Sequence, residues 1–100
     1  MIVVRFKVQC RSDKADELMA ALREVIAPSR EVEGVVSFDI GRDLSDPDAF
    51  IATEVFEDEA ALERQEAQSQ VARVMELLPE CVAAPPEATL FEVSESKALA

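Results

Sequence analysis

The side chain best placed to do chemistry in this sequence is a carboxylate. Glu54 lies in FIATEVFE, residues 50–57, and is flanked by apolar neighbours. A carboxylate buried on such a segment loses water, and desolvation raises its pKa toward the range of a general base. The same residue reads equally as a buried acceptor or as one half of an ion pair. Two other acidic groups, Glu57-Asp58-Glu59 and Asp46/Asp48, look like metal ligands only superficially. Acids at a helix start favour the positive end of its dipole, and acids in a turn bond nearby backbone. They imply no fixed ligand geometry, so no metal site is expected.

The absent residue types narrow the chemistry further. The chain has no His, no Trp and no Tyr. Without His, the usual general base, haem ligand and metal ligand are all missing. The two cysteines, Cys10 and Cys81, are far apart in sequence and form no CxxC. They read as reduced thiols acting as small buried apolar side chains, and a structural zinc site has no ligands to draw on.

One hundred residues fit one domain, expected over 1–95 with 96–100 as a flexible tail. Apolar residues make up 49% and charged residues 31%, a globular composition. The net charge is −11. Nucleic acid and anionic lipid both call for a positive surface, so neither is expected as a partner. No apolar run approaches the roughly 20 residues that cross a bilayer. The start, Met1-Ile2-Val3-Val4-Arg5, lacks a basic region followed by a long apolar stretch, so no signal peptide and a cytoplasmic location are expected.

The elements that must hold Glu54 follow from the period of the apolar residues. In 2–9 Ile2, Val4, Phe6 and Val8 alternate with Arg5, Lys7 and Gln9, which is a strand. Ser12 and Asp13 offer N-caps. Leu18, Ala21, Leu22, Val25 and Ile26 then form a helical stripe, which Pro28 is expected to stop. Segment 35–42 is a second strand, with Val36, Phe38 and Ile40 on one side. Residues 43–49 are rich in turn formers and read as a loop, and 50–57 is a third strand. Asp58 caps a helix from Ala60 to Leu78, with a possible break near Gln68-Ser69, and Pro79 ends it. Segment 87–93 is a fourth strand. The order β-α-β-β-α-β predicts an α+β, ferredoxin-like sandwich with one four-stranded antiparallel sheet.

Helices cover only one face of such a sheet. Strand 50–57 is apolar in both parities, with Phe50, Ala52 and Phe56 against Ile51 and Val55. Leu90 stands against Phe91 and Val93 in the last strand. Strands apolar on both sides read as covered on both sides, which predicts a two-fold homodimer packed sheet to sheet.

Three stretches in order carry a resemblance: S-R-E-x-E-G-x-x-S-F-D from Ser29, D-P-D-A-F from Asp46, and T-E-V-F-E-D-E-A-A-L from Thr53. With the opening IVVRFKV and closing ATLFEV strands, the sequence resembles the antibiotic biosynthesis monooxygenase (quinol monooxygenase-like) family over residues 2–93. The resemblance implies a dimeric α+β barrel. It implies oxidation of a small aromatic or quinol-type substrate by O2 without added cofactor, although other members degrade haem or isomerise sugar phosphates. The haem-degrading branch needs a His ligand that this chain lacks, and the isomerase branch would want His and a basic pocket. Where members commonly carry two His on the second helix, this chain has Gln65 and Gln70, and a common Trp position is Phe56.

On that basis Gln65 and Gln70 could hydrogen-bond a quinol oxygen, and Arg42 could stabilise a phenolate. Glu54 is the candidate base, with Gln65 as its catalytic companion. Phe6, Phe38 and Phe56 are candidate walls of a substrate site. Against this stands a non-catalytic, dimeric small-molecule-binding or accessory protein of the same fold, and beyond that a purely structural dimer. An apolar cavity of about 300 Å3 or more with a few convergent polar groups separates the first two from the third.

Overall fold

Alternation builds the sheet, and a computed structural model describes it together with the rest of residues 1–100. Strands β1 (Ile2–Gln9), β2 (Val35–Asp43), β3 (Asp46–Phe56) and β4 (Glu87–Glu92) pair antiparallel in the order β2-β3-β1-β4. Helices α1 (Ala15–Arg30), α2 (Glu59–Glu66) and α3 (Ser69–Cys81) complete the chain. The fold is α+β and ferredoxin-like, as the order of periods predicts. No helix is long and apolar enough to cross a membrane.

Register decides which residues face the helices. Val4 stands opposite Glu54 on one side and Leu90 on the other, and Glu54 stands opposite Phe38. Partners in register share a face. One inward row is therefore Phe38, Glu54, Val4, Leu90, and the next is Ile40, Ala52, Phe6, Ala88. The outward rows carry Val3, Arg5, Lys7 and their neighbours. A bulge between Val35 and Ser37 leaves Val36 without a partner. Val36 is consequently exposed, against the expected parity, and Val35 packs inward beside Ile2 and Phe56.

Above the sheet, α1 buries Ala15, Leu18, Ala21, Leu22, Val25 and Ser29. This is the expected stripe extended by one turn, because the helix runs through Pro28 to Arg30. Proline costs one backbone bond there, but the end is tied down. The Glu31 N–H bonds the Pro28 carbonyl and the Val32 N–H bonds the Ser29 carbonyl, and Arg30 donates to the Phe38 carbonyl and to Asp39, both at 2.9 Å. Pro79 is likewise inside α3, whose end is held by Val82 N–H donating to the Leu78 carbonyl at 3.0 Å. Ser12 and Asp13 do not cap α1; Lys14 holds that position without a side-chain bond, and Ser12 donates to Asp48 at 2.6 Å instead.

The expected 43–49 loop is shorter than read. Asp43 pairs with Asp46 across a two-residue turn at Leu44-Ser45, closed by Ser45 N–H and Oγ donating to the Asp43 carboxylate. Pro47 sits beside the register shift at Arg42/Asp43, where a missing N–H does least harm. The helix expected over 60–78 does break near Gln68-Ser69: it is two, α2 and α3, separated by Ala67-Gln68. Gly34 fixes where α2 lies. Its φ is +88°, and a Cβ there would stand 2.6 Å from Ala61 Cβ, so the turn before β2 and the start of α2 touch through a glycine.

Candidate functional site

A cavity of about 410 Å3, open on one side, lies between the sheet and the helices. Its floor is the two inward rows of the sheet. Leu22 and Val25 of α1, Leu62 and Gln65 of α2, and Val74 and Met75 of α3 form its roof and sides. Thirteen of its 17 lining residues are hydrophobic. Size and polarity match a small-molecule site, and exceed the volume that a filled core would leave.

Glu54 is the one titratable group on the floor. The β1–β3–β2 register turns it inward between Val4 and Phe38. No ion pair reaches it. Burial pushes its carboxyl up from 4.5 to about 7, with a smaller push from the negative charge of Glu66. A carboxylate with this pKa can take a proton at neutral pH and return it.

Gln65 is 3% exposed and sits over the floor on the stripe shared with Ala61 and Leu62. Its Nε2 donates to Ser29 Oγ at 3.1 Å, and Ser29 Oγ donates to Gln68 Oε1 at 3.1 Å. Its own amide oxygen takes no bond from the protein. Gln65 is one of the four polar residues that line the cavity. The Gln65–Ser29–Gln68 chain ties the last turn of α1 to the break between α2 and α3.

The structure gathers four of the sequence candidates at this cavity: Phe6, Phe38, Glu54 and Gln65. It places three elsewhere. Phe56 is wholly buried in a separate small cluster with Ile2 and Ala61. Gln70 lies past the helix break and accepts from Ser69 Oγ at 3.4 Å. Arg42 is in the next inward row, beyond Ile40. Its guanidinium stacks 5.3 Å from the Phe50 ring centre and meets Met19 Sδ at 3.1 Å, beside a smaller hollow of about 270 Å3. The structure adds Glu66 and Ser29 to the site. Ser29 carries a legible signal, being four residues beyond Val25 on the buried stripe. Glu66, in a helix rich in Glu and Gln, carries none.

Two of the acidic residues outside the cavity have clear structural partners. Asp58 caps α2 by accepting from Ala61 N–H at 2.9 Å, and Asp46 accepts from Gln9 and from Asp48 N–H. No group of three or more His, Cys, Asp or Glu side chains converges as a metal site would require.

The model of the family described as antibiotic biosynthesis monooxygenase matches residues 1–77 of the chain. The chain belongs to the antibiotic biosynthesis monooxygenase family. An uncharacterised protein of Synechocystis sp., sll1783, is 28% identical over 98 residues, which span 98% of this chain and 67% of that protein. Among solved structures, an antibiotic biosynthesis monooxygenase superposes with a TM-score of 0.85 at 21% identity, covering 95% of this chain and all of that one. Rv0793 of Mycobacterium tuberculosis superposes with a TM-score of 0.88 at 18% identity, covering 97% and 98%. At these identities the structural likeness establishes the fold alone. A monooxygenase-like role is supported at the level of the family. In this member the buried polar position of α2 is Gln65, tied to Ser29.

Proposed function

We propose that this protein is a cofactor-independent monooxygenase that oxidises a small aromatic or quinol-type substrate with O2 in the cavity between sheet and helices. The observation that carries this reading is Glu54, a half-buried carboxylate with a pKa near 7 on the floor of an apolar cavity. Glu54 takes a proton from an activated CH2 or a ring hydroxyl of the substrate, and the protonated carboxyl then donates a hydrogen bond to the anion it has made. The anion passes an electron to O2, a C–O bond forms at a carbon that carries hydrogen, and the resulting peroxide loses water to leave a carbonyl there. All four electrons come from the substrate, one oxygen atom stays in the product and the other leaves as water. Apolar walls keep solvent from the anion. Gln65 orients the substrate through its free amide oxygen.

The same reading includes a homodimer and a cytoplasmic setting. β4 is exposed along its whole length, with Phe91 outward and 48% exposed, in register with Val3 and through it Val55. A second copy laid on this face would cover that apolar row. Sedimentation at twice the chain mass is the expected result.

Oxygen uptake by the purified protein, tested against anthrones, dihydroxynaphthalenes and benzenediols, is the measurement. Turnover above background is expected, and Glu54→Gln should lower it by about 100-fold or more, the usual contribution of a positioned base. Turnover unchanged in the variant would remove Glu54 from the mechanism. Absence of turnover in a folded dimer would favour the second reading, a non-catalytic small-molecule-binding protein. The engagement of Gln65 with Ser29, which leaves the helices without a titratable group buried over the cavity, is the observation on that side.

A further inference from the structure

The walls of the cavity carry charge of one sign only. Glu54 stands on the floor and Glu66 on α2 at the rim, while α1, α3, β1, β2 and β4 contribute no charged side chain. Gln65 donates one amide N–H to Ser29, and its amide oxygen, which takes no bond from the protein, offers a ligand an acceptor. Thr89, on the edge strand, adds an uncharged hydroxyl. The chemistry proposed above makes an anion in this space. That anion is repelled by the Glu66 carboxylate, and beyond the hydrogen bond from protonated Glu54 no wall residue carries a positive charge to offset it. The offsetting positive charge has to arrive with the ligand.

We propose that the cavity takes an electron-rich aromatic ring carrying a protonated amine, and that it rejects aromatic carboxylates, sulfates and phosphates. This rests on reading the cavity as the site of the proposed function, but it concerns binding and is read without turnover. Arg23 and Arg42 border the separate smaller hollow, and Arg30 is engaged by the Phe38 carbonyl and Asp39; none of the three lines the cavity. The ammonium interacts with Glu54 in its ionised form. Burial and the charge of Glu66 hold that carboxyl at about 7, and Glu66 is the only other titratable group facing the cavity. Affinity for an ammonium therefore rises as pH climbs through neutrality, over the range where Glu54 loses its proton.

The test is equilibrium binding of naphthylmethylamine, followed by its fluorescence, with benzylamine and benzoate as competitors for the same site. At about pH 8 benzoate should displace the probe at least about tenfold less readily than benzylamine, a difference of about 1.4 kcal/mol. Glu54→Gln should weaken probe binding by a similar factor and remove its pH dependence, with circular dichroism confirming the fold. Glu66→Gln should have a smaller effect, because that residue is exposed. Benzoate competing as well as benzylamine overturns the proposal, as does probe binding indifferent to Glu54→Gln, or no binding to folded wild-type protein. Oxygen uptake is scored separately. Amine preference without turnover on any aminated ring would retire the oxygenase and leave this inference standing. Turnover with benzoate as an equal competitor would do the reverse.

Discussion

The layer between sheet and helices has a filled end and a hollow end. At the filled end Val8, Cys10, Leu18, Phe50, Leu78 and Cys81 occupy the space. At the hollow end Glu54, Gln65 and their apolar neighbours surround about 410 Å3. The same strands supply both floors by the same alternation. Polarity differs. The filled end buries two thiols, and burial pushes the Cys10 thiol up to about 11, so it stays protonated and behaves as a small apolar group. The hollow end keeps a carboxylate and an amide, and forgoes close packing around them. One end supplies stability, and the other uses some of it to hold polar groups in a desolvated place.

Truncation should separate the two ends most sharply. Leu18 is fully buried at the filled end, so Leu18→Ala should cost about 2–5 kcal/mol, from lost burial plus the space left behind. Met75 is 59% exposed on the wall of the hollow, and Met75→Ala should cost less than about 0.5 kcal/mol. Urea denaturation of both variants measures the difference. Similar costs would mean that the hollow is closed and packed in solution.

A smaller effect should distinguish the ends by pH. Folding raises the Glu54 pKa from 4.5 to about 7, so the folded state holds this proton more tightly than the unfolded chain. The stability this group lends is full below its unfolded pKa and falls as pH climbs through about 7. Its partial exposure limits the loss to about 1–2 kcal/mol. The net charge of −11 also lowers stability as carboxylates ionise, so the useful quantity is the difference between wild type and Glu54→Gln. That difference should move in favour of the variant between about pH 5 and pH 8. A constant difference would show that Glu54 is solvated.

Much of this architecture is legible in the sequence. Period-two runs give all four strands, and Leu18, Leu22 and Val25 give the buried face of α1. Glu54 is legible as a site residue because it shares parity with Phe50, Ala52 and Phe56. What escapes is set by non-local geometry. Val36 leaves the inner face because of a bulge that no local pattern announces. Pro28 and Pro79 look like stops, yet tertiary contacts hold the helix ends around them. Gln65 and Gln70 look equivalent in sequence, but the break at Ala67-Gln68 leaves one over the cavity and the other outside it. Glu66 acquires meaning only through its nearness to Glu54.

The smallest expected effect tests the border of the site. Arg42 shares the inward parity of Phe38 and Ile40, which makes it a natural anion partner in sequence. The structure sets it beyond Ile40, stacked on Phe50 at the edge of the second hollow. An exposed cation over a ring contributes about 0.5–1 kcal/mol, so Arg42→Ala should lower stability by that amount. Because the side chain does not line the cavity, the variant should bind naphthylmethylamine as wild type does. Arg42→Ala and Leu18→Ala both act through packing, whereas only changes at Glu54, Gln65 or Glu66 should alter which ligands bind. A tighter grip on the ammonium probe in Arg42→Ala would show that the guanidinium reaches the cavity in solution. The charge of that space would then be mixed, and the hollow end would extend one row further along the sheet.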